Sequence, residues 1–203
     1  MTTSPSFPVD LTLPAGGLRL SPPNTDDLDL LVAACQDPDI VRFTKVPSPY
    51  TVEHAQGFVE SCEQGARDGT SLGLIARDQT GRLFGSCSLV SVDWTDKVAE
   101  IGYWVAPWAR NRKVATRATR AVSRWAFASA GLERLTLQTA VVNTASNLVA
   151  RRAGFVHEGT LRKAMIDRDV NQTGTSTLRL DVNVWGLLAE EIVDEVGGKR
   201  GVV

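Results

Sequence analysis

Long apolar stretches are missing from this sequence. No run approaches the ~20 residues that a membrane-spanning helix needs, so no membrane span is expected. Cysteine is scarce: Cys35, Cys62 and Cys87 are odd in number and lack metal-type spacing. That speaks against a disulfide framework and for reduced, buried thiols. Histidine is scarcer still, and His54 and His157 form no recognisable ligand set with the cysteines, so no metal is expected. The opening residues, MTTSPSFPVDLTLPAGG, have neither the basic start nor the apolar centre of a secretory signal. A cytoplasmic location is the expectation. An overall excess of positive charge is absent as well: the net charge is −1 and the isoelectric point about 6.1. This argues against a general nucleic-acid-binding protein but leaves room for a local basic site.

Acidic residues are missing from one long stretch in particular, between Ile101 and Leu132. Within it lie Arg110, Arg112, Lys113, Arg117, Arg120 and Arg124, while acids gather at Asp26, Asp27 and Asp29 and at Glu190, Glu191, Asp194 and Glu195. The surrounding patterns place this charge where an extended segment turns into a helix. Ser71 to Arg77, Leu83 to Val92 and Val98 to Val105 read as strands of an antiparallel meander, separated by the turn-like DQTGR and DWTDK. The period then changes: Val114, Ala118, Ala121, Val122, Trp125 and Ser129 share one helical face, and Arg117, Arg120 and Arg124 another.

Elsewhere, residues 1–16 read as a loose arm rich in Pro, Ser and Thr. Leu18 to Leu20 reads as a strand, and Leu28 to Cys35 and Thr51 to Arg67 as helices. Leu135 to Val141 is expected as a strand, Ala145 to Arg152 as a helix, and Thr177 to Trp185 as a closing strand before an acidic helix and tail over 189–203. Trp94, Trp104, Trp108 and Tyr103 read as an aromatic cluster around the central strand, with core packing the default. The whole is one α/β (α+β) domain over residues 17–188, a mixed and mostly antiparallel sheet flanked by helices.

A strand that enters a helix through a cationic turn suits an anion with several oxygens. The first N–H groups of a helix have no internal partners, and the macrodipole is positive there. Arg112, Lys113, Val114, Ala115 and Thr116 would supply those donors. On charge alone, a solvated basic helix face or a nucleic-acid contact remains open.

Longer motifs narrow the choice. AEIGYWVAPWARNRKVATRA, then VVNTASNLVARRAGFVHEGTLR and DVNVWGLL, resemble the GNAT acyltransferases, and more narrowly the branch containing ribosomal-protein N-terminal acetyltransferases. The resemblance runs from about Leu18 to Leu188. It implies an N-acetyltransferase that uses acetyl-CoA as co-substrate to modify a primary amine, either a protein N-terminus or a small molecule, by direct transfer in a ternary complex. It implies neither nucleic acid nor membrane as partner and admits a homodimer. In this family the diphosphate loop reads Gln or Arg, two residues, Gly, one residue, then Gly or Ala; Arg110-Asn111-Arg112-Lys113-Val114-Ala115 has Lys113 in place of the glycine.

The resemblance further implies that backbone groups of Tyr103, Trp104 and Val105 hold the pantetheine arm and polarise the thioester. Glu100 becomes the candidate base, against the alternative of a solvent-facing strand residue. Ala150 stands where many relatives carry a tyrosine acid, so Ser146 becomes the candidate donor to the departing sulfur, against an ordinary helix-start serine. Asn143 would bind pantetheine, cap the helix, or both. A non-catalytic acyl-CoA-binding module is the competing reading.

Overall fold

The structure is a computed structural model, which describes residues 5–169 and 178–192. Its frame is an eight-stranded sheet in the order β1-β2-β3-β4-β5-β6-β8-β7. In chain order the strands are β1 (Leu13–Pro14), β2 (Arg19–Ser21), β3 (Ile75–Arg77), β4 (Leu83–Asp93), β5 (Val98–Val105), β6 (Arg134–Ala140), β7 (Val156–Ile166) and β8 (Arg179–Leu188). The helices are α1 (Leu28–Cys35), α2 (Pro38–Phe43), α3 (Val52–Asp68), α4 (Val114–Ala128) and α5 (Thr144–Ala153). Every neighbouring pair is antiparallel except β5 and β6, which are parallel and joined through α4.

Side chains alternate across this sheet, as the two-residue strand period requires. Leu74, Ala76, Phe84, Ala99 and Ile101 enter the core beneath α4 and α5. Ile75 and Leu83 enter a second cluster with Leu31 and Ala34 of α1 and Ala55 of α3. The aromatic residues divide the same way. Tyr103 packs on the α4/α5 side and Trp104 on the other, while Trp94 meets Phe7 with ring centroids 5.3 Å apart. Consecutive strand residues cannot share a face, so the expected single aromatic cluster is split in two.

The meander and the long helices follow their sequence signals closely. Thr51 caps α3 and Gly69 closes it in a left-handed conformation at φ 69°, the usual exit for a helix. The first predicted meander strand is shorter than its apolar pattern suggested, because Leu72 makes only an isolated bridge to Leu89. The short helix α2 carries an N-cap signal in Asp37-Pro38: the Asp37 carboxylate accepts from Asp39 N and Ile40 N, and proline occupies the first turn.

Within the segment that the sequence favoured as a loose arm, Phe7, Leu13 and Ala15 are buried. Phe7 is 4% exposed, its N–H donates to the Ala66 carbonyl, and its ring meets Trp94 and Trp125. Apolar contact at one residue outweighs the polar composition around it. At the other end a single turn, Ala189–Glu191, follows β8. The rest of the expected acidic tail, and most of the segment between β7 and β8, lie outside the described residues.

Candidate active site

Parallel pairing between β5 and β6 lasts only three positions: Val98 with Arg134, Ala99 with Leu135, and Glu100 with Thr136. Beyond Glu100 the strands part. β5 continues to Val105 on its β4 side, with Gly102 opposite Ser88 and Val105 opposite Gly85, and β6 continues against β8. Among the described residues, the backbone of residues 101–105 therefore has no partner strand on its β6 side. Buried main-chain donors and acceptors seldom go without partners. A slot lined by such groups accepts an extended molecule carrying amides.

At the end of β5 the chain makes a 3-10 turn, Pro107–Ala109, and enters α4 through Arg110 to Lys113. Lys113 is the N-cap residue, with φ 57° and ψ 24°, and Asn111 also lies at positive φ, 62°. The lysine thus holds the left-handed geometry that glycine adopts without penalty. Its side chain makes no capping hydrogen bond, and the first intrahelical bond runs from Arg117 N to the Lys113 carbonyl. The amides of Val114, Ala115 and Thr116 consequently have no partner within the helix. They form a donor cluster at its positive pole.

The cations around this cluster have separate duties. Arg110 pairs with Asp37, and with Asp39 at 3.2 Å, locking the loop to α2. Arg117 donates to the carbonyls of Gly16 and, at 2.7 Å, Arg112. Arg120 donates to the Arg152 carbonyl at 2.6 and 3.1 Å, joining α4 to α5. Arg112 lies over the Phe84 ring, 5.4 Å from its centroid. Arg112 and Lys113 are the loop cations without a carboxylate partner among the described residues. Arg117, half-buried, and Arg120, exposed, thus tie α4 to neighbouring backbone.

Two polar groups flank the slot from opposite faces of the sheet. Glu100 lies on the α1/α3 face with Trp104, alternating with buried Ala99 and Ile101. Burial raises its carboxyl above the usual carboxylate range, and the charge of Lys45 partly offsets this. On the other face stands Ser146, half-buried in the first turn of α5. Asn143 caps that helix, accepting from Ser146 N at 3.0 Å. The Ser146 hydroxyl is 2.8 Å from the Tyr103 phenol oxygen, a contact between side chains that the sequence reading did not join. Ala150, one turn further along α5, is fully buried.

The histidines stand apart from this constellation. His54 accepts from Thr51 N in the α3 capping box, and His157 meets Asn183 and the edge of Trp185. All three cysteines are buried free thiols, with burial pushing each up to about 12. Among the described residues, no group of three or more His, Cys, Asp or Glu could hold a metal ion, and no helix is long and apolar enough to cross a membrane.

Comparison with known proteins agrees with this geometry. A profile of the acetyltransferase (GNAT) domain matches residues 17–156. YdaF of Bacillus subtilis, described as a candidate ribosomal N-acetyltransferase, is 35% identical over 98 residues. That stretch covers 48% of this chain and 52% of the relative, so the chain spans about half of that protein. Two solved structures share the fold at lower identity. RimL, a ribosomal L7/L12 α-N-protein acetyltransferase in complex with coenzyme A, superposes with a TM-score of 0.78 at 19% identity, covering 88% of this chain and 98% of that one. Spermidine N-acetyltransferase from Vibrio cholerae, in complex with CoA and spermine, does so with a TM-score of 0.70 at 19% identity, covering 86% and 97%.

Proposed function

The chain belongs to the GNAT acetyltransferase domain family, and on that premise we propose that it transfers acetyl from acetyl-CoA directly to a primary amine within a ternary complex. The observation that carries the proposal is the junction of two features. An opened β5/β6 slot with unpaired backbone groups leads to uncapped α4 amides backed by Arg112 and Lys113. The slot fits a pantetheine arm, and the helix pole fits a diphosphate. Val114, Ala115 and Thr116 would bind its oxygens through main-chain N–H groups.

With the thioester in the slot, its two sides meet different chemistry. A β5 backbone N–H polarises the carbonyl in the manner of an oxyanion hole. Glu100 takes the proton of the attacking amine from the α1/α3 side, directly or through water; burial weakens it as an acid and so strengthens its carboxylate as a base. Nitrogen bonds to the acetyl carbon, the carbon–sulfur bond breaks with its electron pair on sulfur, and the Ser146 hydroxyl on the other face donates a hydrogen bond to that sulfur. Proton removal and leaving-group support are thus kept on separate faces.

The acceptor reaches Glu100 past residues 42–45. Lys45 bears directly on Glu100, and the Arg168 guanidinium docks on the Thr44 carbonyl at 2.9 Å. The same approach holds the Asp167 and Asp169 carboxylates, both paired with Arg42, and it is the likeness to a ribosomal N-acetyltransferase that favours a peptide N-terminus as acceptor. A thiol-release screen against peptides with free N-termini, amino-acid amides and polyamines tests the proposal. CoA release with peptides above polyamines is expected. Release with no amine, despite tight acetyl-CoA binding, would instead support the non-catalytic module.

A further inference from the structure

The Tyr103 phenol is the side chain near the slot whose chemistry the transfer reaction leaves unused. It projects from β5 to the α4/α5 side, half-buried, and its oxygen lies 2.8 Å from Ser146 Oγ and 3.2 Å from the Ser146 carbonyl oxygen. A phenol has one proton to donate. The shorter contact has the usual length of an O–H···O bond, and the helix's own ladder already offers the Ser146 carbonyl a donor four residues on. Ser146 Oγ is the better acceptor.

Resting on the function proposed above, we propose that Tyr103 is a positioning residue: its phenol donates to Ser146 Oγ and so turns the single serine proton outward, toward the sulfur leaving the acetyl group. Were the direction reversed, the serine would donate to the phenol and offer the sulfur only lone pairs. Three features frame the pair. Asn143 pins the Ser146 backbone, the Tyr103 ring is packed into the core, and Ala150 keeps the next turn of α5 free of a competing hydroxyl. Tyr103 keeps its proton throughout, because burial pushes its ionisation well above the ordinary tyrosine value. The sulfur departs as a thiolate held by the Ser146 hydrogen bond and takes its proton from water as CoA leaves. The hydroxyl supply at the leaving group is therefore shared between strand and helix.

The experiment titrates the thiol of bound CoA by its ultraviolet thiolate absorbance, which needs neither acceptor nor turnover. Tyr103→Phe and Ser146→Ala should each make the bound thiol about tenfold less acid, one pKa unit. The double variant should add nothing further, because one group acts through the other. In turnover, Tyr103→Phe should lower kcat with little change in KM for acetyl-CoA. Replacing Tyr103 with a fluorotyrosine, a stronger donor of nearly the same shape, should shift the bound thiol the opposite way, and supplies the answer even if Tyr103→Phe folds poorly. Equal thiol acidity in wild type and both Tyr103 variants, or independent additive effects of Tyr103 and Ser146, would overturn the inference while leaving the acetyltransferase reading intact. Failure of the wild type to bind CoA would overturn both.

Discussion

Lys113 shows how one side chain can break a motif and keep its shape. A glycine there reaches the left-handed region freely, whereas a lysine is held in it at a cost of about 1 kcal/mol; the loop nevertheless adopts φ 57° and leaves the helix amides open. Lys113→Gly should therefore leave thermal stability unchanged or slightly raised, since relief of strain is offset by the freer unfolded chain. Its affinity for acetyl-CoA should fall about three- to tenfold through loss of one cation near a diphosphate. Calorimetry alongside thermal melts checks both; unchanged affinity would remove the ammonium from the site. In the proposed mechanism Glu100 supplies the pH dependence. A base acts only when ionised, so burial of this carboxyl places the acid limb of kcat/KM above the ordinary range of about 4.3. Lys45→Met should move that limb further up, because it removes the charge that favours the carboxylate. Glu100→Gln should abolish the limb and lower kcat/KM by about a hundredfold or more, and a pH–rate profile identical to wild type would reject Glu100 as base.

Among the helices and strands, the junctions decide the site. α5 begins at Asn143, whose side-chain cap fixes Ser146; Asn143→Ala should cost about 1 kcal/mol of stability and lower kcat with it. A melt showing no loss would mean the cap is replaced by water. Asp167, the residue after β7, is clasped to Arg42 of α2, with Nε to Oδ1 at 2.8 Å and Nη2 to Oδ2 at 2.9 Å. The Arg42 hydrogen bonds hold the Asp167 carboxyl below its ordinary value. The stability this contributes is present above the unfolded value of about 3.9 and is lost as pH falls through the depressed one. Arg42→Ala should flatten that acid dependence in pH-resolved melts, and an unaltered slope would show that the clasp contributes nothing there. These junctions also mark what the sequence could convey. The periods of β4, β5 and α4 were readable, and so was the donor-rich α4 entrance, because local spacing determines them. The parting of β5 from β6 has no local signature, since no residue type encodes the end of a ladder. The Tyr103–Ser146 contact joins residues 43 apart, and the burial of Phe7 depends on partners across the domain; neither leaves a local pattern.

At the level of the entire domain, one sheet serves as a partition between the α4/α5 and α1/α3 sides, and the proposed mechanism puts coenzyme chemistry on the first and acceptor chemistry on the second. Its outer strands are held by a buried ion pair: Arg77 of β3 donates to the Asp27 carboxylate, with Nη2 to Oδ2 at 2.6 Å, and to Ser21 Oγ of β2 at 3.1 Å. Asp27→Ala would strand that guanidinium in the interior and should cost about 3–5 kcal/mol, visible as a large drop in the melting midpoint. The most direct test of the whole account is calorimetry of acetyl-CoA against its pantetheine fragment, which has the same thioester and arm without the diphosphate. If the α4 amides, Arg112 and Lys113 grip the diphosphate, acetyl-CoA should bind at least about a hundredfold tighter than the fragment, the worth of two or more charge-assisted hydrogen bonds. Equal affinity for the two, or no heat with either, would contradict it.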